Sequence, residues 1–178
     1  MRTYIALLRG IGGKNTLPMK GFVELLEALG LSHVRTYIQS GNAIFRSERI
    51  GLSELSENIK MAIEKKYGFA PHVIVLTAEE LREAAASNPY REAESEPKTL
   101  HLTFLASTPK SPDLTGLERI QRANEQFTLK GKVFYFHAPD GVGKSRLFAR
   151  IEKSLGVPGT ARNWRTVCKI NEMADQEG

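Results

Sequence analysis

The chain predicts an α+β protein of two ferredoxin-like halves, on three observations. Short β-prone runs and helical runs alternate in the order β-α-β-β-α-β over residues 1–77. The order β-α-β-β-α recurs after residue 98. With 178 residues and 41% hydrophobic content, there is enough apolar side chain for packed cores. Residues 1–77 are the expected first half, 78–98 a connecting helix and linker, and 99–178 a second half with an extra C-terminal helix. In such units an antiparallel sheet carries its helices on one face.

Thr3 to Leu8 is an apolar run of strand length, and Gly10 to Pro18 is a loop rich in residues that tolerate unusual backbone angles. From Met19, Phe22, Val23, Leu25, Leu26 and Leu29 recur at helical spacing, and Gly30 stands where a helix stops. Val34 to Gln39 and Ala43 to Phe45 bracket Ser40-Gly41-Asn42 as a hairpin. Ser53 caps a second helix with Leu55, Ile59, Ala62 and Ile63 as its stripe, ending near Gly68, and His72 to Leu76 is a strand. A helix over 78–86 leads into a polar link, followed by a strand over Leu100 to Leu105 and a helix over Asp113 to Arg122. Phe127 to Leu129 and Val133 to Phe136 form a hairpin around Lys130-Gly131, and Ser145 to Leu155 reads as a helix. The segment Gly159 to Ile170 reads as a last helix with Thr160 as its N-cap, and the tail beyond Met173 carries no packing signal.

One cysteine, Cys168, allows no intrachain disulfide and points to a cytoplasmic protein. The first apolar run is cut by Arg9, too early for the core of a signal peptide, and no run reaches the length of about 20 apolar residues that spans a bilayer. A net charge of +5, with a pI near 9.4, favours anionic partners through the long-range field. The cations are spread along the chain rather than gathered in one run. His33, His72, His101 and His137 lack metal-ligand spacing, so neither a metal nor another cofactor is expected.

The motif nearest to a defined chemistry is Ala138-Pro-Asp-Gly-Val-Gly-Lys-Ser145, one residue short of the phosphate-cradling pattern G-x-x-x-x-G-K-[ST]. Ala138 replaces the first glycine, Pro139 has no N–H to offer, and no acidic strand follows to hold magnesium. What remains is a strand-to-helix turn in which Lys144, Ser145 and Arg146 at a helix N-terminus form an anion site. Arg9, Lys14 and Asn15 lie in or beside the glycine-rich first loop, whose glycines either serve an anion or simply adopt positive φ. Gln39 and Asn42 flank the hairpin; Ser40 between them has no histidine near in sequence to make it a nucleophile. Arg162, Asn163 and Trp164 either bind phosphate and stack on a base, or anchor the last helix.

Three stretches together resemble the bacterial domain of unknown function 1697: Leu7-Leu-Arg-Gly-Ile11 with Gly12-Gly-Lys-Asn15 and Leu17-Pro-Met19; Arg35-Thr-Tyr-Ile-Gln-Ser-Gly-Asn42 with Ile44-Phe45; and Thr160-Ala-Arg-Asn-Trp-Arg-Thr-Val167. The likeness runs over essentially the whole chain and implies two linked ferredoxin-like units, with no established activity attached. In that family an Asn-Val pair usually separates the isoleucine from the double glycine, whereas here Ile11 meets Gly12 directly, and the loop is two residues shorter.

The functional expectation is a small cytoplasmic module binding a nucleic acid or phosphorylated metabolite in a cleft between the halves. Its alternatives are a small-molecule enzyme with its site at the same cleft, for which no general base is evident, and a dimerising structural or interaction protein.

Overall fold

The computed structural model describes residues 1–39, 41–48 and 51–176. Two compact units emerge, one of Met1–Glu83 with Lys169–Gly178 and one of Ala84–Cys168. Their boundaries fall inside α3 (Ala78–Ala86) and α6 (Trp164–Asp175), whereas the sequence reading divides the chain at 77 and 98.

In the first unit, β1 (Arg2–Arg9), β2 (Ser32–Tyr37), β3 (Asn42–Ser47) and β4 (His72–Thr77) form an antiparallel sheet in the order β2-β3-β1-β4. This is the ferredoxin-like order, with the first strand central and apolar on both faces: Tyr4 through Leu8 are all buried. Tyr4, Ala6, Leu8, Ala43, Phe45 and Val75 pack on the stripes of α1 (Met19–Ala28) and α2 (Leu52–Tyr67). In α2 the stripe Leu55, Ile59 and Ile63 repeats every fourth residue. The helix ends on Gly68 at φ 78°, a left-handed cap, with Lys65 and Lys66 near the negative end of its dipole. Ser53 does not cap it: α2 starts at Leu52 after Gly51, without a side-chain cap. At the start of α3 Thr77 and Glu80 form a reciprocal capping box, with N–H to Oε2 at 2.9 Å and N–H to Oγ1 at 3.1 Å.

The second unit repeats the plan with β5 (Leu100–Leu105), α4 (Leu114–Ile120), β6 (Gln126–Lys130), β7 (Val133–His137), α5 (Ile151–Leu155) and β8 (Gly159–Asn163). Its antiparallel sheet runs β6-β7-β5-β8, the same order position for position. Both halves are therefore complete β-α-β-β-α-β units, one strand more in the second half than the sequence reading finds.

That strand is β8, where the sequence reading places helix. Gly159–Asn163 pairs with Leu105–His101, and the helix begins only at Trp164. Thr160 is a buried strand residue; the cap is Asn163, whose Oδ1 accepts the Thr166 N–H at 3.0 Å. Edge pairing supplies β8 with hydrogen bonds that a helical spacing of apolar residues further along does not anticipate. The end of α6 also departs from expectation. Met173 and Ala174 are buried, Asp175 pairs with Arg82 at 2.6 Å, and Gln176 Oε1 accepts from both Arg35 Nη atoms at 3.4 Å. No helix of the described residues is long and apolar enough to cross a membrane.

Candidate anion-binding site

The segment after β7 is not the long helix that Ser145 to Leu155 suggests. It is two successive turns, a 3-10 turn at Phe148–Arg150, and only then the five residues of α5. The first turn closes through Gly141 N–H to Ala138 O at 2.8 Å, the second through Ser145 N–H to Val142 O at 3.1 Å. Ser145 is buried, and its Oγ accepts the Phe148 N–H at 3.1 Å, so its hydroxyl caps the 3-10 turn instead of facing a ligand. Ala138, where a P-loop has glycine, is buried in the core beside Leu147 and Ile151, with its N–H on Thr99 O at 2.8 Å. Lys144 and Arg146 are exposed, but they stand on turns and not on a helix N-terminus.

The neighbouring loop between α4 and β6 fixes these turns. Arg122 Nη2 donates to the Lys144 carbonyl at 2.9 Å, and Asn124 Nδ2 to Asp140 Oδ2 at 2.9 Å. That loop is itself braced by Glu125, a buried carboxylate whose Oε2 accepts the Arg122 N–H at 2.9 Å. Four exposed cations, Arg122, Lys144, Arg146 and Arg150, thus stand on two mutually bonded segments, and none makes an ion pair among the described residues. The N–H groups of Gly143, Lys144 and Arg146 have no acceptor among the described residues, and a Cβ at Gly143 would meet nothing within 4 Å. Open backbone donors between positive side chains are what an oxyanion requires. Arg122 was not legible in the sequence, since it lies in a different loop, 22 residues from Lys144.

At the same end of that sheet stands Asn163, opposite His101, whose ring meets Phe148 edge-on at 5.5 Å. Arg162 is its neighbour in an extended strand and therefore points to the opposite face, alongside its cross-strand partner Leu102 and the latter's partner Tyr135. Arg162 Nη1 donates to Ala161 O at 2.9 Å, and burial draws its guanidinium down to about 10. Trp164 is only 8% exposed, so its indole offers no stacking face. The three candidates Arg162, Asn163 and Trp164 are thus separated: one to each face of the sheet and one to the core.

In the first unit, the other candidates gather at one end of the sheet. Gly12 and Asn15 exchange backbone hydrogen bonds at 2.9 Å each, putting Gly13 and exposed Lys14 at the tip of a tight turn. Asn15 Nδ2 ties that turn to Gly10 O at 3.0 Å. Leu8 N–H donates to Gly41 O at 2.8 Å, and a Cβ at Gly41 would come within 2.7 Å of Leu8 Cβ. Only glycine fits that contact at φ 79°. Asn42 is fully buried, with Nδ2 on Tyr37 O at 3.0 Å, and serves the hairpin. Arg9, half-buried, lies in register with His72, while Gln39 is exposed and Ser40 lies outside the described residues. The fold brings the first loop and the hairpin together, but spends Asn15 and Asn42 on closing their own turns.

A family described as "Protein of unknown function (DUF1697)" matches residues 1–135. The chain belongs to that family. It is also similar to the solved structure of the conserved bacterial protein SP0830 from Streptococcus pneumoniae, at 25% identity, with 97% of this chain and 98% of that one covered and a TM-score of 0.69. That likeness extends past residue 135, over β8 and α6. No curated protein matches the chain.

Proposed function

We propose that the protein is a binding module for an anionic, phosphate-bearing ligand, contacted by the paired turns over 138–146 and by Arg122. The observation that carries this reading is the set of four exposed cations, none in an ion pair among the described residues, around open N–H groups, with Arg122 of the neighbouring loop holding the turn through the Lys144 carbonyl. Two nearby carboxylates are engaged: Glu125 is buried with its Oε2 on the Arg122 N–H, and Asp140 accepts from Asn124. Lys144 and Arg146 supply charge, and the backbone of Gly143 and Lys144 supplies direction. Ser145 and Asn163 act behind the site as turn and helix caps. The reading includes a cytoplasmic location, supported by the single cysteine of 178 residues.

Substitution tests the reading. Replacing Lys144 and Arg146 together by alanine is expected to weaken pyrophosphate binding by about tenfold or more, since a hydrogen bond to a charged group contributes about 1.5–3 kcal/mol. Both side chains are exposed, so thermal unfolding stays within a degree or two of the parent. Calorimetric titration showing equal affinity in the double variant would end the proposal.

A further inference from the structure

The +5 charge is not shared between the units. Residues 84–168 hold 13 Lys+Arg against 8 Asp+Glu, while the rest of the chain holds 12 of each. The helices themselves are balanced in both units, α4 carrying Glu118 and Arg119 and α5 Glu152 and Lys153, so the difference between the two helix layers lies in the turns beside α4 and α5, which hold Arg122, Lys144, Arg146 and Arg150. On α1 and α2 of the first unit, Lys20, Lys60, Lys65 and Lys66 are interspersed with five glutamates, and Lys60 pairs with Glu57 at 3.2 Å.

In the second unit α4 and α5 run antiparallel. Asp113 N–H meets Ser154 O at 2.7 Å at one end, and Arg122 reaches the Lys144 carbonyl at the other. Leu117, Ile151 and Leu155 face the sheet, which turns Arg119 and Lys153 outward. With Arg122, Lys144, Arg146 and Arg150 they make six exposed cations along one layer, none in an ion pair among the described residues. Glu118 on α4 is exposed and unbonded among the described residues, and Glu125 is buried with the Arg122 N–H on its Oε2, whereas the other carboxylates of the layer are tied to neighbouring donors: Asp113 accepts Gly116 N–H at 2.9 Å, Glu152 accepts Gly159 N–H at 2.7 Å, and Asp140 accepts from Asn124. These last three keep their charge but do not swing across to neutralise the cations.

We propose that this layer docks the phosphate backbone of a nucleic-acid duplex, the cations following successive phosphates. This deepens the anion-binding reading and rests on it. The extent of the row favours a linear polyanion over a single phosphorylated metabolite, because six charges spread over two helices and two loops exceed what one small anion contacts. Duplex is favoured over single strand by the aromatics. Single strands bind on exposed rings, and the aromatic of this layer, Phe148, is engaged with His101 at 5.5 Å and Phe136 at 6.0 Å. Contacts to backbone alone give little sequence preference.

The test uses the full chain with a fluorescent duplex of about 20 base pairs, the matching single strand, pyrophosphate, and vesicles of phosphatidylserine and phosphatidylcholine, between about 50 and 200 mM salt. Duplex affinity is expected to fall with salt at a log–log slope of about −4, from four to five phosphate contacts. Arg119→Glu with Lys153→Glu, both on the helices and outside the four cations around the turns, is expected to lower it at least tenfold and flatten the slope by about 2, leaving pyrophosphate affinity unchanged. Lys65→Glu on the first unit leaves both unchanged. Pyrophosphate binding without tighter duplex binding, a single strand bound more tightly than duplex, vesicles bound equally well, or equal sensitivity to Lys65→Glu would overturn the duplex proposal. Failure of pyrophosphate and duplex alike would overturn the anion-binding reading beneath it.

Discussion

His101 sits on β5 between Phe136 of β7 and Asn163 of β8, its ring edge-on to Phe148 and its Nδ1 buried without a hydrogen-bond partner among the described residues. Burial lowers its pKa to about 4, so the folded protein holds the neutral ring. The unfolded chain takes up the proton near pH 6.5. Because the folded value lies below the unfolded one, the stabilisation is present above about pH 6.5 and is lost as pH falls toward 4, by on the order of 2–3 kcal/mol. Urea unfolding between pH 7 and 4.5 is expected to show that loss, and His101→Phe, which keeps the aromatic contacts, to reduce it. An unaltered pH dependence in the variant would place the titration elsewhere. Arg162 and Asn163 show how residue identity misleads without backbone conformation. In a helix consecutive side chains stand about 100° apart, but in an extended strand they point to opposite faces.

At the scale of elements, regular periodicity was legible and short irregular pieces were not. The strand over Leu100–Leu105 and the helix over Ala78–Ala86 stand where the apolar spacing puts them. The β8 strand was not, because Gly159 to Asn163 carries two small residues, a buried threonine, a half-buried arginine and a cap, and owes its conformation to pairing with β5. The turns after β7 failed for a related reason: Leu147, Ile151 and Leu155 have helical spacing, yet the backbone uses it only from Phe148 onward. The boundary between β8 and α6 rests on one side chain. Asn163→Ala removes the acceptor of the Thr166 N–H and is expected to cost about 1 kcal/mol, with Asn163→Asp close to neutral. Equal melting temperatures for Asn163→Ala and the parent would show that β8 pairing alone sets the start of α6.

Over the whole molecule, the two-unit plan was visible in the repeated order of elements, and the structure completes it with the same sheet order in both units. The site was half visible. Lys144 and Arg146 were singled out by a motif that resembles a phosphate loop, but the phosphate-loop mechanism does not apply: Ala138 is core and Ser145 is a cap. Arg122, which braces the turns, carried no local signal, since only tertiary structure brings residue 122 to residue 144. Charge asymmetry was present in the sequence too, but its meaning needed the unit boundaries to sort the cations. The central claim is that these turns receive an oxyanion through open N–H groups and flanking cations. The most direct measurement is a residue-resolved amide titration of the full chain with pyrophosphate. Saturable shifts concentrated at Gly143, Lys144 and Arg146 are predicted, whereas amides that stay unmoved there up to millimolar ligand would contradict it.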